Sequence, residues 1–228
     1  MPTAKRPRHG SLQFYPRKRV NKFLPRVNWK PVSESSSVKE DCLLGFIGYK
    51  VGMATAVVKD NTDKSMTKGK RIALPVTILE VPNMKIFSVR FYKKGIVVKD
   101  VIVGNDKELK KKVKVPKEVK KDFSSVKEES FDDIRVIVYS VVKQTSVKKK
   151  PDLIELAVKS SDAKSKLDLV KGLIGKEIAL ADVMKWNLVD VRGLTKGKGI
   201  QGPVKRFGIK LRPHKSEKGL RKVGSIGP

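Results

Sequence analysis

Four scarcities bound what this sequence can do. Cysteine occurs once, as Cys42, so no intrachain disulfide and no cysteine-based zinc site can form, and a reducing cytosol is the natural compartment. Cys42 itself reads as a small buried hydrophobe. Histidine occurs twice, as His9 and His214, both in basic segments with glycine or proline close by. There an imidazole is better suited to stacking or to donating to phosphate than to acting as a poised base. The carboxylates are scattered, so no metal centre, catalytic triad or paired acid and base takes shape, and no cofactor or small-molecule substrate is implied. Long apolar runs are missing too. None reaches the roughly 18 residues of a membrane span, and the N-terminus has no signal-like apolar stretch.

The fourth scarcity is of acids. Asp and Glu number 23 against 52 Lys and Arg, a net charge of +29 in 228 residues. Self-repulsion on that scale disfavours a compact globule on its own and points to nucleic acid as partner. An apolar share of 39% still supports a modest core.

The excess charge collects at the two ends. Residues 1–31 carry nine cations and no acid, among them Lys5, Arg6, Arg8, Arg17, Lys18 and Arg19. Pro2, Pro7, Pro16, Pro25 and Pro31 oppose regular structure there, and Phe14, Tyr15, Phe23 and Trp29 are interleaved as stacking groups. Between Gly193 and Gly227 stand Lys196, Lys198, Lys205, Arg206, Lys210, Arg212, Lys215, Lys218, Arg221 and Lys222, ten cations against the single acid Glu217. Eight glycines recur through this final stretch, too many for a helix. It reads as an extended loop that orders when a polyanion neutralises it. Glycine admits close approach of a phosphate to the backbone, Lys supplies a point charge, and Arg a planar fork. Phe207 and His214 add flat groups able to stack on unpaired bases. The Lys-Gly-Lys-Gly of TKGKG is no nucleotide loop, because the Gly-x-x-x-x-Gly-Lys-Ser/Thr spacing is absent.

The motifs TKGKG, QGPVKR and GSIGP, within VDVRGLTKGKGIQGPVKRFGIKLRPHKSEKGLRKVGSIGP, resemble the signature loop of the large-subunit ribosomal protein three family in its archaeal and eukaryotic form. RPRHGSLQFYPRKR near the N-terminus, LGFIGYKVGM and KKKPDLIEL resemble the same family at the same relative places. The resemblance implies a β-barrel body on 23S-type ribosomal RNA, with a long basic loop threading toward the peptidyl-transferase region and a part in early subunit assembly. It also implies a Trp-His-Pro segment beyond GSIGP and a return to close the barrel. Neither appears before Pro228, so the loop reads as truncated and the barrel as lacking closing strands.

Between the ends the pattern is of short strands. CLLGFIGYKVGMATAVVKD reads as two strands broken by glycines, with Met53 a packed thioether. A polar loop over 61–70 and a strand over 72–81 follow. Runs at 86–92 and 96–103, separated by Lys93, Lys94 and Gly95, predict a hairpin. Strands are expected at 134–142 and 153–158, and a helix over 161–173 with Leu167, Val170 and Leu173 or Ile174 on one face. The lysine-dense stretch 105–129, divided by Pro116, predicts an inserted pair of short helices.

The fold expected is mainly β with α insertions (α+β), a Greek-key-like β-barrel, incomplete as given. A basic extension and linker occupies 1–41, the barrel body with a helical insertion near 105–130 occupies 42–192, and the RNA-binding loop occupies 193–228. The function expected is that of a structural, non-enzymatic constituent of the large ribosomal subunit, cytoplasmic, with large-subunit ribosomal RNA and neighbouring ribosomal proteins as partners and no membrane. The cations named above, with His214, are the expected RNA contacts. A free chromatin or regulatory RNA binder is the alternative. It would need a recognition module, and no helix-turn-helix, zinc finger or RNP motif is present.

Overall fold

The computed structural model describes residues 12–13, 15, 18–34, 41–118, 123, 131–184, 187–216 and 218–225. They fall into two compact units, one of Val27–Val189 and one drawn from both ends of the chain, residues 1–26 and 190–228. The first holds all the strands: β1 (Cys42–Leu43), β2 (Tyr49–Lys59), β3 (Arg71–Glu80), β4 (Met84–Lys93), β5 (Ile96–Ile102), β6 (Asp133–Ser140) and β7 (Leu153–Lys159). Helices α1 (Trp29–Glu34), α2 (Ala163–Leu173) and α3 (Leu180–Val183) belong to it as well.

Five strands form one antiparallel sheet in the order β1-β7-β6-β4-β5. The β4–β5 hairpin turns where expected, through Lys94 and Gly95 at φ 50° and 78°, the left-handed pair that suits a tight two-residue turn. Period-two alternation sends Ile134, Val136 and Val138 of β6 to one face, beside Val89 and Phe91 of β4 and Leu156 of β7. Trp29, Ile47, Phe131, Val170 and Ile178 cover that face and complete the core. Cys42 is buried, and the α2 spacing holds: Val170 is fully buried, with Leu167, Leu173 and Ile174 packed beside it. Burial of a side chain such as Phe91 contributes roughly 1.5–3 kcal/mol.

The other face carries an ionic ladder. Arg90 and Arg135 lie directly opposite each other on β4 and β6, an arrangement that repels unless an acid intervenes. Glu155 intervenes, accepting from Arg90 Nη1 at 3.1 Å, Arg135 Nη1 at 3.2 Å and the Tyr92 hydroxyl at 2.6 Å. Burial and the Glu155 carboxylate push the Tyr92 phenol up, so it stays a donor.

Strands β2 and β3 pair only with each other among the described residues, over Tyr49–Glu80 to Lys59–Arg71. Tyr49 ties the base of this ribbon to the main sheet, its hydroxyl 2.8 Å from both Ser140 Oγ and Asp152 Oδ2. Beyond that, both faces are open and both are apolar. Ala54, Ala56 and Val58 share one with Val76, Leu74 and Ile72, and Met53 and Val57 share the other with Ala73 and Pro75.

The barrel expected from the sequence is already incomplete, and among the described residues no closed barrel forms: β1 and β5 are edges and the ribbon is a separate sheet. Three expectations need correction. Met53 is not packed but 64% exposed, since none of the described residues covers the ribbon. Trp29 is no stacking group: it is 6% exposed and donates through Nε1 to the Glu155 carbonyl at 3.0 Å, opening a helix that tolerates Pro31 in its first turn. The expected helical insertion shows, over 105–118, a single 3-10 turn at Leu109–Lys111, because Leu109 is drawn into a small cluster with Phe87 and Tyr139. Most of the remainder of that insertion lies outside the described residues.

The tip of the ribbon is built on Asp60, 8% exposed and covered by its own loop rather than by the core. Its carboxylate accepts the Thr62 amide at 2.9 Å and the Thr67 hydroxyl. Gly69, at φ 79°, donates to the Asp60 carbonyl at 2.8 Å. Hydrogen bonds from Ser65, Thr67 and Thr62 hold the Asp60 carboxyl well below the usual carboxylate range.

Two outcomes follow from this packing. A Cβ on Gly104 would lie 3.0 Å from the Ile86 carbonyl oxygen and 3.2 Å from Phe87 Cα, backbone atoms fixed in β4. Gly104→Ala is therefore expected to lower unfolding stability by about 1–3 kcal/mol in urea titration, and an unchanged midpoint would show that β4 yields there. The depressed Asp60 pKa means that the unfolded chain takes up its proton first as the medium becomes acid. The tip's order is then complete above about pH 4 and lost as the pH falls toward the folded value. Amide exchange at Gly69, corrected for intrinsic rate, should rise with acid in the wild type, with that rise absent in Asp60→Asn.

Candidate nucleic-acid interface

The second compact unit is made of chain with little to bury and few acids to pair. From 187 to 225 the described residues form no strand, and regular structure is limited to the short helix α4 (Pro203–Phe207). The glycine-rich stretch, expected as an extended loop, contains one helical turn that the glycine count concealed. Pro203 begins that turn, with its fixed φ, and Gly208 ends it at φ 65°, its amide donating to the Val204 carbonyl at 2.8 Å. The last part folds back on itself, for the Arg212 amide meets the Leu220 carbonyl at 3.1 Å and the Arg212 guanidinium the Val223 carbonyl at 3.3 Å.

The two ends of the chain meet inside this unit. Arg19 Nη2 donates to the Gln201 carbonyl at 3.2 Å, a contact between residues 182 apart in sequence. Sequence reasoning assigned Gln201 no partner, and no local signal marks it, because a backbone carbonyl acceptor leaves no trace in residue type. Beside Gln201 lies a shallow depression of about 260 Å³ whose rim carries Lys198, Lys205 and Arg221 around Gly202. Three cations about a bare backbone segment suit an anionic oxygen in chemistry and in scale.

Of the expected contacts, Lys5, Arg6, Arg8 and Arg17 lie outside the described residues, as does His9. Lys18, Arg19, Lys196, Lys198, Lys205, Lys210, His214, Lys215, Lys218, Arg221 and Lys222 are all exposed. Arg206 and Arg212 are half-buried, Arg212 because its guanidinium caps the fold-back. The Arg206 guanidinium stands 4.8 Å from the centroid of the Phe207 ring, which is itself 51% exposed. Tyr15 and Phe23 are exposed at 50% and 80%, as a stacking role requires. Phe14 lies outside the described residues.

The body treats charge differently. Arg90 and Arg135 share Glu155 and reach Asp100 and Asp133, and Lys85 lies between Asp106 and Glu177. Among the described residues no group of three His, Cys, Asp or Glu gathers as a metal site, and no helix is long and apolar enough to cross a membrane.

Comparison with known proteins adds the lineage. The family model described as Ribosomal protein L3 matches residues 1–228. The large ribosomal subunit protein uL3 of Methanocaldococcus jannaschii is 39% identical over 238 aligned residues, covering 98% of this chain and 69% of the relative. The protein of the same name from Methanobrevibacter smithii is 40% identical over 97% of this chain and 68% of its own length. That of Nanoarchaeum equitans is 37% identical, with the same two shares. A family match over the whole chain, with the basic motifs inside it, leaves one assignment: the chain belongs to the ribosomal protein L3 family.

Proposed function

We propose that this protein is a structural, non-enzymatic constituent of the large ribosomal subunit, acting in the cytoplasm, that holds 23S-type ribosomal RNA through the two ends of its chain. The observation that carries the reading is the exposed run of cations from Lys196 to Lys222, joined to the basic N-terminal segment at Arg19 and Gln201. Every cation brought against a phosphate releases counterions condensed on the RNA, and that release drives binding entropically. Lys supplies charge, while Arg206 with Phe207 offers a flat, mixed surface on which an unpaired base can stack. The final stretch extends toward the peptidyl-transferase region, and ordering on RNA lets it join RNA segments during subunit assembly. Neighbouring ribosomal proteins complete its surroundings. No step of chemistry is assigned to it.

The test is binding to large-subunit ribosomal RNA and to an unrelated duplex of equal length, titrated with salt. With about six to ten phosphates engaged, affinity for either falls by roughly 10³–10⁵ between 50 and 200 mM salt. A preference for ribosomal RNA is expected to survive at high salt and to vanish when the cations from Lys196 to Lys222 are replaced by Gln. Equal binding to both RNAs at every salt concentration would leave only a generic polycation. Limited proteolysis supplies an independent measure. Trypsin should cut the free chain first after Lys196, Lys198, Arg221 and Lys222, which are exposed on irregular backbone, and saturating ribosomal RNA should slow those cuts at least tenfold while leaving cuts in a denatured control unchanged.

A further inference from the structure

The tip of the β2–β3 ribbon has features that neither the body nor the two basic ends explain. Its strands end on Lys59 and Arg71, which are cross-strand partners, like charges placed directly opposite each other. Within the core sheet the comparable pair, Arg90 and Arg135, has Glu155 to relieve it. Here nothing does so. Lys64 and Lys70 add two more exposed cations, and among the described residues Lys59, Lys64, Lys70 and Arg71 have no ion-pair partner. The nearby acids are already engaged, Asp60 by the amides and hydroxyls of its own loop and Asp63 by Lys68 at 2.7 Å. At the apex Met66 is 97% exposed, held out by a turn in which the Ser65 and Thr67 hydroxyls lie 2.8 Å apart.

We propose that this hairpin tip is a further RNA-binding element, Lys59, Lys64, Lys70 and Arg71 engaging phosphates on either side of it while Met66 packs against a base or sugar. The inference rests on the reading that RNA is the partner, and it differs from that reading in mechanism. On that reading the final stretch, with α4 and one fold-back among its described residues, completes its order on what it binds. The tip is already ordered, by Asp60 and by Gly69 in its left-handed turn, so the backbone positions that carry its cations are set before any contact is made. The mutual repulsion of Lys59 and Arg71, weakened by solvent at these exposed positions, favours an anion between or beside them. A phosphate backbone supplies anions in series, and Met66 on the protruding apex meets the apolar surface that a base or sugar exposes.

The full chain is the material for the test. In the variant Lys59→Gln, Lys64→Gln, Lys70→Gln, Arg71→Gln, four phosphate contacts are lost. The slope of log affinity against log salt for large-subunit ribosomal RNA should then fall by roughly three to four, and affinity near 100 mM salt by roughly 10²- to 10³-fold. An unchanged slope would overturn the proposal. Because that variant removes charge from the ribbon, a second measurement does not depend on it. Cys42 is buried, so Met66→Cys provides a single reactive thiol for a tethered iron chelate. Bound to ribosomal RNA, it should cut the strand at one confined locus, and no cutting above the unsubstituted chain would overturn the proposal.

The arms also separate this inference from the reading beneath it. If neutralising Lys196 to Lys222 abolishes the preference for ribosomal RNA while the hairpin variant binds as the wild type does, the tip is not an RNA contact and the ribosomal reading stands. If neither set of substitutions changes binding, the ribosomal reading itself fails. Normal RNA binding by the hairpin variant together with failure to join a subunit reconstituted with its proteins would give the tip a protein partner and overturn the proposal.

Discussion

Uncompensated positive charge is the constraint on which the rest of this protein depends. A net charge of +29 in 228 residues cannot be balanced internally, and the chain does not spread the imbalance evenly. Where strands must pack, acids are spent locally: Glu155, with Asp100 and Asp133 at the flanks, makes the opposed Arg90 and Arg135 tolerable, and Asp133 also takes Lys166 at 2.7 Å, tying α2 to β6. At the two ends acids are nearly absent, and so is apolar surface to bury. The fold therefore separates into a packed sheet whose half-buried arginines are paired and a cationic unit whose counter-charge has to come from outside the chain. A diffuse cloud of small ions could supply that counter-charge, but a polyanion does so at lower entropic cost, because one molecule replaces many.

How much of this was legible in the sequence depends on how local the cause was. The β4–β5 hairpin was readable because Lys94-Gly95 dictates a left-handed turn between two β-branched runs, and the face of α2 because Leu167, Val170 and Leu173 repeat at helical spacing. Trp29 was misread because an aromatic among prolines and cations looks like a stacking group. Its role is decided by Glu155, 126 residues away, which supplies the carbonyl that its Nε1 needs. The lysine-rich stretch after 105 has good helix formers, yet Leu109 finds Phe87 and Tyr139, and tertiary packing overrides propensity. The charge of the final stretch was plain, but the meeting of Arg19 with the Gln201 carbonyl was not. A backbone acceptor is the same in every residue.

The ribbon is the instructive case. Alternation along 49–59 and 71–80 identifies two strands with apolar residues on both faces, and such strands belong to the interior of a closed or layered sheet. Sequence periodicity establishes that a strand wants cover. It cannot establish that cover is at hand. Here, among the described residues, the ribbon pairs with itself alone, leaving Met53 and Leu74 exposed at 64% and 44%. A two-stranded hairpin is marginal by itself, so its order leans on both of its ends, on Tyr49 against Ser140 and Asp152 at the base and on Asp60 within the tip.

That division of support bears on how the protein meets RNA. A segment that folds only on binding surrenders part of its interaction energy to ordering, and it conforms to whatever surface it meets. A tip locked beforehand surrenders little, but it accepts only a surface that fits. A chain with both devices gains strength from one and selectivity from the other. On the proposed reading the two ends contribute most of the charge and most of the salt dependence, which favours any RNA. The hairpin, with four cations on a set backbone and Met66 at the apex, contributes fewer contacts but penalises a wrong surface, because it cannot rearrange without breaking the Asp60 hydrogen bonds. Discrimination between RNAs should then reside disproportionately in the element with the smaller share of the charge.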